Sequence, residues 1–388
     1  MLIDLVASAY IASCFLFKKT GPGHEWTVVF SRGAFKRDIP SLGVGTTLVD
    51  IGAEWLRRLF RQRVPDGWME QVICLSYKDQ LRAAFPRSIR MLARCLRGKK
   101  VRLLYGGVDY FEVAIFADAS FYSTDTRIEA VFHENYAIRY VKNLTGALYQ
   151  NIDPQQRILF SNLYTYGPPA TDILRDYTLN ASGPQHMTMP RLASMEDDRE
   201  FDRRLEALQS ETFTKTVLLL AFPGTDYLAP ICFTATLIAL AEMGEQGTIR
   251  PIVKFKSRRV IGAPKRHLAG LGKHIEWVCD GSVEELVWRA GFTVVYNSIS
   301  LYEALLSATI VVVPAYLDAL HDENILQESR DSVRSLCGDM KSVRFADSLS
   351  DLRKIVASLD MSAIKQVVRQ ERVLRKELVR RKFYLETA

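Results

Sequence analysis

The residues best arranged for chemistry lie in the run Asn297-Ser298-Ile299-Ser300-Leu301-Tyr302-Glu303-Ala304-Leu305, directly after the strand-like "TVVY". Small hydroxyl and amide side chains at a strand-to-helix junction cap the helix and leave its first backbone N–H groups pointing outward. Those groups, with the positive end of the helix dipole, form a cradle for phosphate. Glu303 follows Ser300 by three residues, one helical turn, and so reaches toward the hydroxyls of a ligand held there. The same spacing is that of a capping box, in which Ser300 and Glu303 merely close the helix end. The nine residues by themselves leave both roles open.

The elements that must position this run alternate between strands and helices. In the first half the strand-like runs are "WTVVF" (26–30), "QVICLS" (71–76), "KVRLLYGG" (100–107), "EVAIFAD" (112–118), "IEAVFHEN" (128–135) and "RILFSN" (157–162). Helical spacing links Leu48, Ile51, Trp55, Leu56 and Leu59, and again Leu81, Phe85, Ile89, Leu92 and Leu96. The second half repeats the alternation with "KTVLLLAF" (215–222), "IRPIVKFK" (249–256), "HIEWVC" (274–279), "FTVVYN" (292–297) and "TIVVVPAY" (309–316). Dense β-branched runs of this kind indicate strands buried on both faces. The fold class is therefore α/β, with two Rossmann-like domains. The boundaries expected are an N-terminal domain over 1–175, a linker over 176–212, a second domain over 213–360 and a basic amphipathic helix over 361–388 that packs back toward the first domain. The linker assignment rests on Asn, Ser, Gly, Pro and Met without a sustained period, ahead of a short charged helix, "DREFDRRLEALQS".

Composition narrows the partners. At 388 residues the chain fits two cores, and 48% hydrophobic residues is the content of a globular protein. A formal charge of +7 favours anionic partners: nucleotide phosphates, an acidic glycan, a lipid phosphate or an anionic membrane surface. Nucleic acid is not expected, because no basic stretch is interleaved with stacking aromatics. The six cysteines are scattered without a CxxC pair, which suits a reducing compartment and no structural zinc. Residues 1–17, "MLIDLVASAYIASCFLF", carry neither the basic start nor the small-residue end of a signal peptide, and Asp4 interrupts the run needed for a membrane span. They are expected to form a buried first helix or strand, the alternative being an interfacial anchor. The location expected is the cytoplasm, peripheral at the inner face of the membrane if the anchor holds.

The order of elements around Ser300 resembles the nucleotide-sugar site of GT-B glycosyltransferases, two Rossmann-like domains facing a cleft, and within them the bacterial capsule and lipopolysaccharide enzymes of the Kdo- and sialyl-transferase sort. There a strand leads to "S-S/T-x-x-x-E-A", a small residue, and a strand ending in Pro; "NSISLYEALLSATIVVVP" supplies Ser298, Ser300, Glu303, Ala304, Ala308 and Pro314 in that order. By this resemblance Asn297, Ser298 and Ser300 hold donor phosphate and Glu303 binds the ribose. "LLLAFPGTDY" looks like the opening strand and loop of the second domain, bringing Gly224 and Thr225 toward donor phosphates or acceptor. "YTYGPPATDIL" (164–174) looks like the step into the hinge. Where the family has "v-K-x-H-P", this sequence keeps Lys254 and has Phe255-Lys256 in place of His-Pro. The resemblance runs over about 215–320, is thin over 100–175 and is absent before that.

What the resemblance implies is transfer of a sugar from a nucleotide-sugar donor to a glycan or lipid-linked acceptor in bacterial envelope polysaccharide synthesis. Lys254, Lys256, Arg258 and Arg259 are the cations placed to stabilise charge on the departing phosphate without a metal, or a solvated loop. No DxD motif stands at a strand end, so neither metal nor cofactor is expected. An inverting transfer needs a base for the acceptor hydroxyl. Glu134 and His133 in "VFHENY", at a strand's carboxyl edge, come first, then Asp109 in "YGGVDY" and Asp125 in "YSTDTR"; a structural hydrogen-bonding role is open for each. Other enzymatic patterns (GxSxG, Walker A, HExxH, GxGxxG after a strand) are missing. A nucleotide-sugar 2-epimerase and a non-catalytic GT-B-like binding subunit are the competing functions.

Overall fold

The computed structural model describes residues 2–16, 18, 25–31, 38–39, 46–69, 73–122, 125–132, 152–165, 174–186, 190–208, 211–220, 230–255, 268–279, 281–296, 299–314, 331, 333–358 and 360–383. These divide into two compact units, the first running to Arg191 and taking in Phe383, the second from Leu192 to Lys382.

In the first unit an N-terminal helix α1 (Leu2–Phe15) precedes β1 (Trp26–Ser31) and β2 (Thr47–Gly52). Four helices follow: α2 (Ala53–Phe60), α3 (Ile73–Ser76), α4 (Lys78–Ala84) and α5 (Pro86–Leu96). Then come β3 (Val101–Tyr105), α6 (Phe111–Phe116), β4 (Thr126–Phe132), β5 (Asn162–Thr165) and the two-residue β6 (Gln185–His186). The six strands pair in the order β2-β1-β3-β4-β5-β6, all parallel. Every residue of β1 is buried, which is why "WTVVFS" shows no polar alternation. Aromatic stacking joins sheet to helices: Phe30 lies 4.9 Å from Tyr105 and 5.2 Å from Phe116, and Phe60 lies 3.8 Å from Phe85.

Several expected elements change here. "QVICLS" was expected as a strand, yet its described part, Ile73–Ser76, is helical. "EVAIFAD" was expected as a strand as well, and Phe111–Phe116 form a helix whose six residues are all buried. An apolar run buried on every side has no period to separate helix from strand. The helical spacing from Leu48 to Leu59 spans two elements, since Thr47–Gly52 is strand β2 and only Ala53 onward is helix. The spacing from Leu81 to Leu96 is likewise broken by Pro86, whose ring turns Phe85 away from the α region and starts α5. The strand placed at 157–162 begins at Asn162.

The segment 176–212 holds β6, the helices α7 (Pro190–Met195) and α8 (Asp198–Ala207) and the start of α9 (Glu211–Lys215), and the boundary between the units falls within it. Asp197 caps α8 through the backbone N–H groups of Arg199 and Glu200.

The second unit continues with β7 (Thr216–Leu220), α10 (Pro230–Glu245), β8 (Arg250–Lys254), β9 (Glu276–Val278), α11 (Val283–Val287), β10 (Phe292–Val295), α12 (Ile299–Leu305), β11 (Ile310–Pro314), β12 (Val343–Ala346) and α13 (Leu349–Ala357). Its sheet is parallel in the order β12-β11-β10-β7-β8-β9, which counted within the unit is the doubly wound 3-2-1-4-5-6. The C-terminal segment is two helices, α14 (Met361–Gln370) and α15 (Arg372–Phe383). Arg372 of α15 donates to the carbonyls of Met195 and Leu306, and Arg375 to those of Ala304, Ser307 and Thr309, all within the second unit.

Candidate functional site

In a doubly wound sheet the helices leaving neighbouring strands pass to opposite faces where the strand order reverses, opening a crevice at the carboxyl ends. In the second unit that point lies between β7 and β10, whose last paired residues are Leu220 and Val295. The chain leaving β10 enters α12 at Ile299. Ser300 is half-buried in the first turn of α12, and Glu303, one turn on, is buried. Four apolar neighbours, Leu301, Tyr302, Ala304 and Leu305, are fully buried, so α12 is wedged into the unit rather than laid on its surface.

The other end of α12 is held by cations. Its last carbonyls lack intrahelical partners, and the fully buried Arg375 donates to Ala304, Ser307 and Thr309, each at 3.0 Å. Arg372 reaches Leu306 at 3.0 Å. Burial, with the Arg372 charge beside it, pulls the Arg375 pKa down to about 9, which leaves the group protonated at neutral pH. The negative end of the helix dipole favours such a charge. Sequence reading had this stretch as a basic amphipathic helix and gave Arg372 and Arg375 no role of their own.

Lys254 ends β8, in register with Leu220, and so stands at the same carboxyl edge as Ser300, with β7 between their strands. It is buried, and its ammonium donates to the carbonyls of Phe255, at 3.2 Å, and Cys279. In this arrangement Lys254 ties the end of β8 to the end of β9.

In the first unit Asp109 lies in the turn after β3, at that sheet's carboxyl edge, and is buried. Its backbone carbonyl accepts from Cys74 Sγ at 3.0 Å. Its carboxylate adds to the burial that raises the Tyr177 pKa, against the Arg157 charge. Gly107 shapes this turn, for a Cβ there would sit 2.6 Å from the Tyr110 ring. Asp125 does not share this edge: it precedes β4, and its carbonyl accepts from Val101 N at the amino ends of the strands. The candidacy of Asp125 is withdrawn for that reason.

One carboxylate was missed. Glu112, fully buried in the first turn of α6, follows Asp109 by three residues at the same edge. Its segment had been assigned to a strand, which hid the helical spacing that places both acids beside the end of β3. Glu134, His133, Gly224, Thr225, Lys256, Arg258, Arg259, Asn297 and Ser298 lie outside the described residues. Among the described residues no three His, Cys, Asp or Glu side chains gather in a group able to hold a metal ion.

No protein-family model matches the sequence, and no curated protein matches it. Solved structures do. A variant of the wall teichoic acid polymerase TagF superposes with a TM-score of 0.50 at 9% identity, covering 98% of this chain and 90% of that one. The glycotransferase of kitacinnamycin covers 92% of this chain and 96% of its own at 11% identity and a TM-score of 0.47. The UDP-GlcNAc 2-epimerase from Neisseria meningitidis gives 12% identity, 91% and 99% coverage, and 0.44. At these identities the likeness concerns the fold: the chain has the two parallel, Rossmann-like α/β domains of the GT-B fold.

Proposed function

We propose that this protein is a metal-independent, inverting glycosyltransferase that moves a sugar from a nucleotide-activated donor to a glycan or lipid-linked acceptor in bacterial envelope polysaccharide synthesis. The observation that carries the proposal is the junction of β10 with α12 beside the β7–β10 reversal, which brings Ser300 and the buried Glu303 to the carboxyl edge of a doubly wound sheet. That edge is where such sheets take nucleotides. In this proposal Ser298, Ser300, Asn297 and the backbone of 298–301 hold the donor phosphates, with Gly224 and Thr225 approaching from the chain that leaves β7. Glu303 accepts hydrogen bonds from the ribose. Lys256 supplies positive charge to the leaving phosphate, and Lys254 contributes through its field while its ammonium bonds the strand ends. Glu134, His133 and Asp109 are the candidates for the base that takes the proton of the acceptor hydroxyl.

A thermal-shift panel of CMP, CDP, UDP and GDP tests the donor site. A ligand that binds only the native state stabilises it by about 2.7 kcal/mol at 100 times its dissociation constant. One nucleotide should raise the unfolding midpoint well above the others, and its sugar conjugate should release that nucleotide only when acceptor is present. Isomerisation of the free nucleotide-sugar without acceptor would identify an epimerase. A midpoint unmoved by all four nucleotides would remove the donor site altogether.

A further inference from the structure

Helix α1 is apolar on all sides, and helices of that kind are ordinarily enclosed. Here one face is enclosed and the other is not. Asp4, Ala7, Ser8 and Ile11 are buried, with α1 packed along α5 and, less extensively, against α2. Leu2, Leu5, Val6, Ala9, Ser13 and Leu16 follow the helical repeat on the opposite face and are exposed. Leu2 is 72% exposed, Leu16 71%, Leu5 49% and Val6 40%. Trp55 of α2 extends the strip, its ring 4.0 Å from that of Tyr10 and 39% exposed. Single exposed hydrophobics need no explanation, whereas a continuous strip marks a contact surface.

The flanks say which contact. On α5, Arg87, Arg90 and Arg94 recur at spacings of three and four, so they form one row, and Arg90, Arg94 and Arg97, just past the helix, are exposed. From Pro86 to Lys100 the sequence has six basic residues and no acidic one. Across α1, Arg58, Arg61 and Arg63 are exposed on and after α2, with Asp50 and Glu54 as the acids of that segment. An apolar strip edged by arginines, with a tryptophan at its rim, matches the layering of a bilayer interface: acyl chains, then the aromatic belt, then phosphates. A second copy of the chain fits poorly, because pairing like faces would set arginine rows against arginine rows.

We propose that the exposed face of α1, with Trp55 and the arginine rows of α2 and α5, binds the surface of an anionic phospholipid bilayer. No helix among the described residues is long and apolar enough to cross a membrane, so α1 lies in the interface plane. Asp4 is part of the same design. Its carboxylate accepts from Arg87 N and Ser88 N, both at 2.9 Å, and from Ser88 Oγ at 2.6 Å, so α1 is fastened to the protein by its only charge. The bound surface is thus a fixed face of the first unit. The inference uses no residue of the donor site and stands or falls separately from sugar transfer.

Co-sedimentation with phosphatidylcholine vesicles, with and without phosphatidylglycerol, tests it without any nucleotide or acceptor. The full-length protein should pellet with the anionic vesicles, and the binding should weaken as salt shortens the Debye length from about 10 Å at 0.1 M to about 3 Å at 1 M. Leu5→Asp with Val6→Asp, both at exposed positions, should keep the unfolding midpoint and lose at least about ten-fold in vesicle affinity. Arg90→Ala with Arg94→Ala should lose about five-fold per arginine and flatten the salt dependence. The proposal is overturned if the folded wild type ignores anionic vesicles, or if the aspartate variant binds them normally. It is equally overturned if that variant turns a wild-type dimer into a monomer while vesicle binding is unmoved.

Discussion

The guanidinium of Arg375 donates to the carbonyl of Ala304 at 3.0 Å, with its nitrogen atoms also on Ser307 and Thr309. One buried cation thereby closes the carboxyl end of the helix whose other end carries Ser300. A charged group without water is tolerated there because three carbonyls and the helix dipole face it. Arg375→Met fills similar volume and takes the guanidinium from the Ser307 and Thr309 carbonyls, while Ala304 O keeps the N–H and hydroxyl of Ser307, so it should cost about 3 kcal/mol or more. Arg380→Ala is the control. Arg380 pairs with Glu196 at 2.9 Å but is half exposed, and its loss should cost less than about 1 kcal/mol. Urea unfolding measures both, and equal midpoints would refute the closing role of Arg375.

Asp4 and Ser88 make a comparable join in the first unit. Phe85, the residue at the N-cap of α5, provides no side-chain cap, and Asp4 accepts the N–H groups of Arg87 and Ser88 instead. Asp4→Ala should therefore behave as loss of a helix cap and destabilise by about 1–2 kcal/mol. Asp4→Asn keeps an acceptor oxygen and should retain most of that stability. Chemical denaturation separates the two; identical losses would mean that capping is not what Asp4 contributes.

Gly291 fixes the start of β10. Its N–H donates to Phe213 O and its carbonyl accepts from Ile310 N, both at 2.8 Å. A Cβ added there would stand 2.9 Å from Phe213 O and 3.0 Å from Thr214 Cα, both backbone atoms. Gly291→Ala should destabilise by about 1–3 kcal/mol, the usual penalty of overpacking. Gly270→Ala meets nothing within 4 Å and should stay within about 0.5 kcal/mol of wild type. If the two variants unfold together, the close approach at Gly291 is not a constraint.

How far the sequence could be read follows from what each residue's environment leaves visible. β7, β8, β10 and β11 were legible because burial on both faces demands continuous apolar, largely β-branched runs, and "TIVVVP" has no competing helical explanation. α6 was not, since six residues buried on all sides carry no stripe, and with it Glu112 went unnoticed. β2 and α2 merged because a half-buried edge strand beside a helix happens to continue the helical spacing. Long-range satisfaction of polar groups was beyond reach. Asp4 caps a helix 84 positions away, and Arg375 serves carbonyls about as distant. Nothing local marks either one, and a basic amphipathic tail is ordinarily solvated. Around the candidate site, spacing placed Ser300 and Glu303 one turn apart in a helix after a strand, as they stand, and left their role open, whereas Lys254 could be placed at the strand end but not bonded to Cys279, which follows another strand.

Glu303 decides between the two roles open to the β10–α12 junction. It is buried one turn beyond Ser300, where a carboxylate either accepts ribose hydroxyls or serves only the helix end. Glu303→Gln keeps the size and removes the charge. Hydrogen bonds to a charged group contribute about 1.5–3 kcal/mol, more than neutral ones. If Glu303 meets the ribose, nucleotide affinity should fall about ten-fold or more, each 1.4 kcal/mol being a factor of ten. Unfolding free energy should change by no more than about 1 kcal/mol, the usual scale of a cap. Isothermal titration with the nucleotide selected by thermal shift gives the first quantity and urea unfolding the second. A variant that binds nucleotide like the wild type but unfolds early assigns Glu303 to the helix end, and the phosphate cradle around Ser300 then loses its ribose partner.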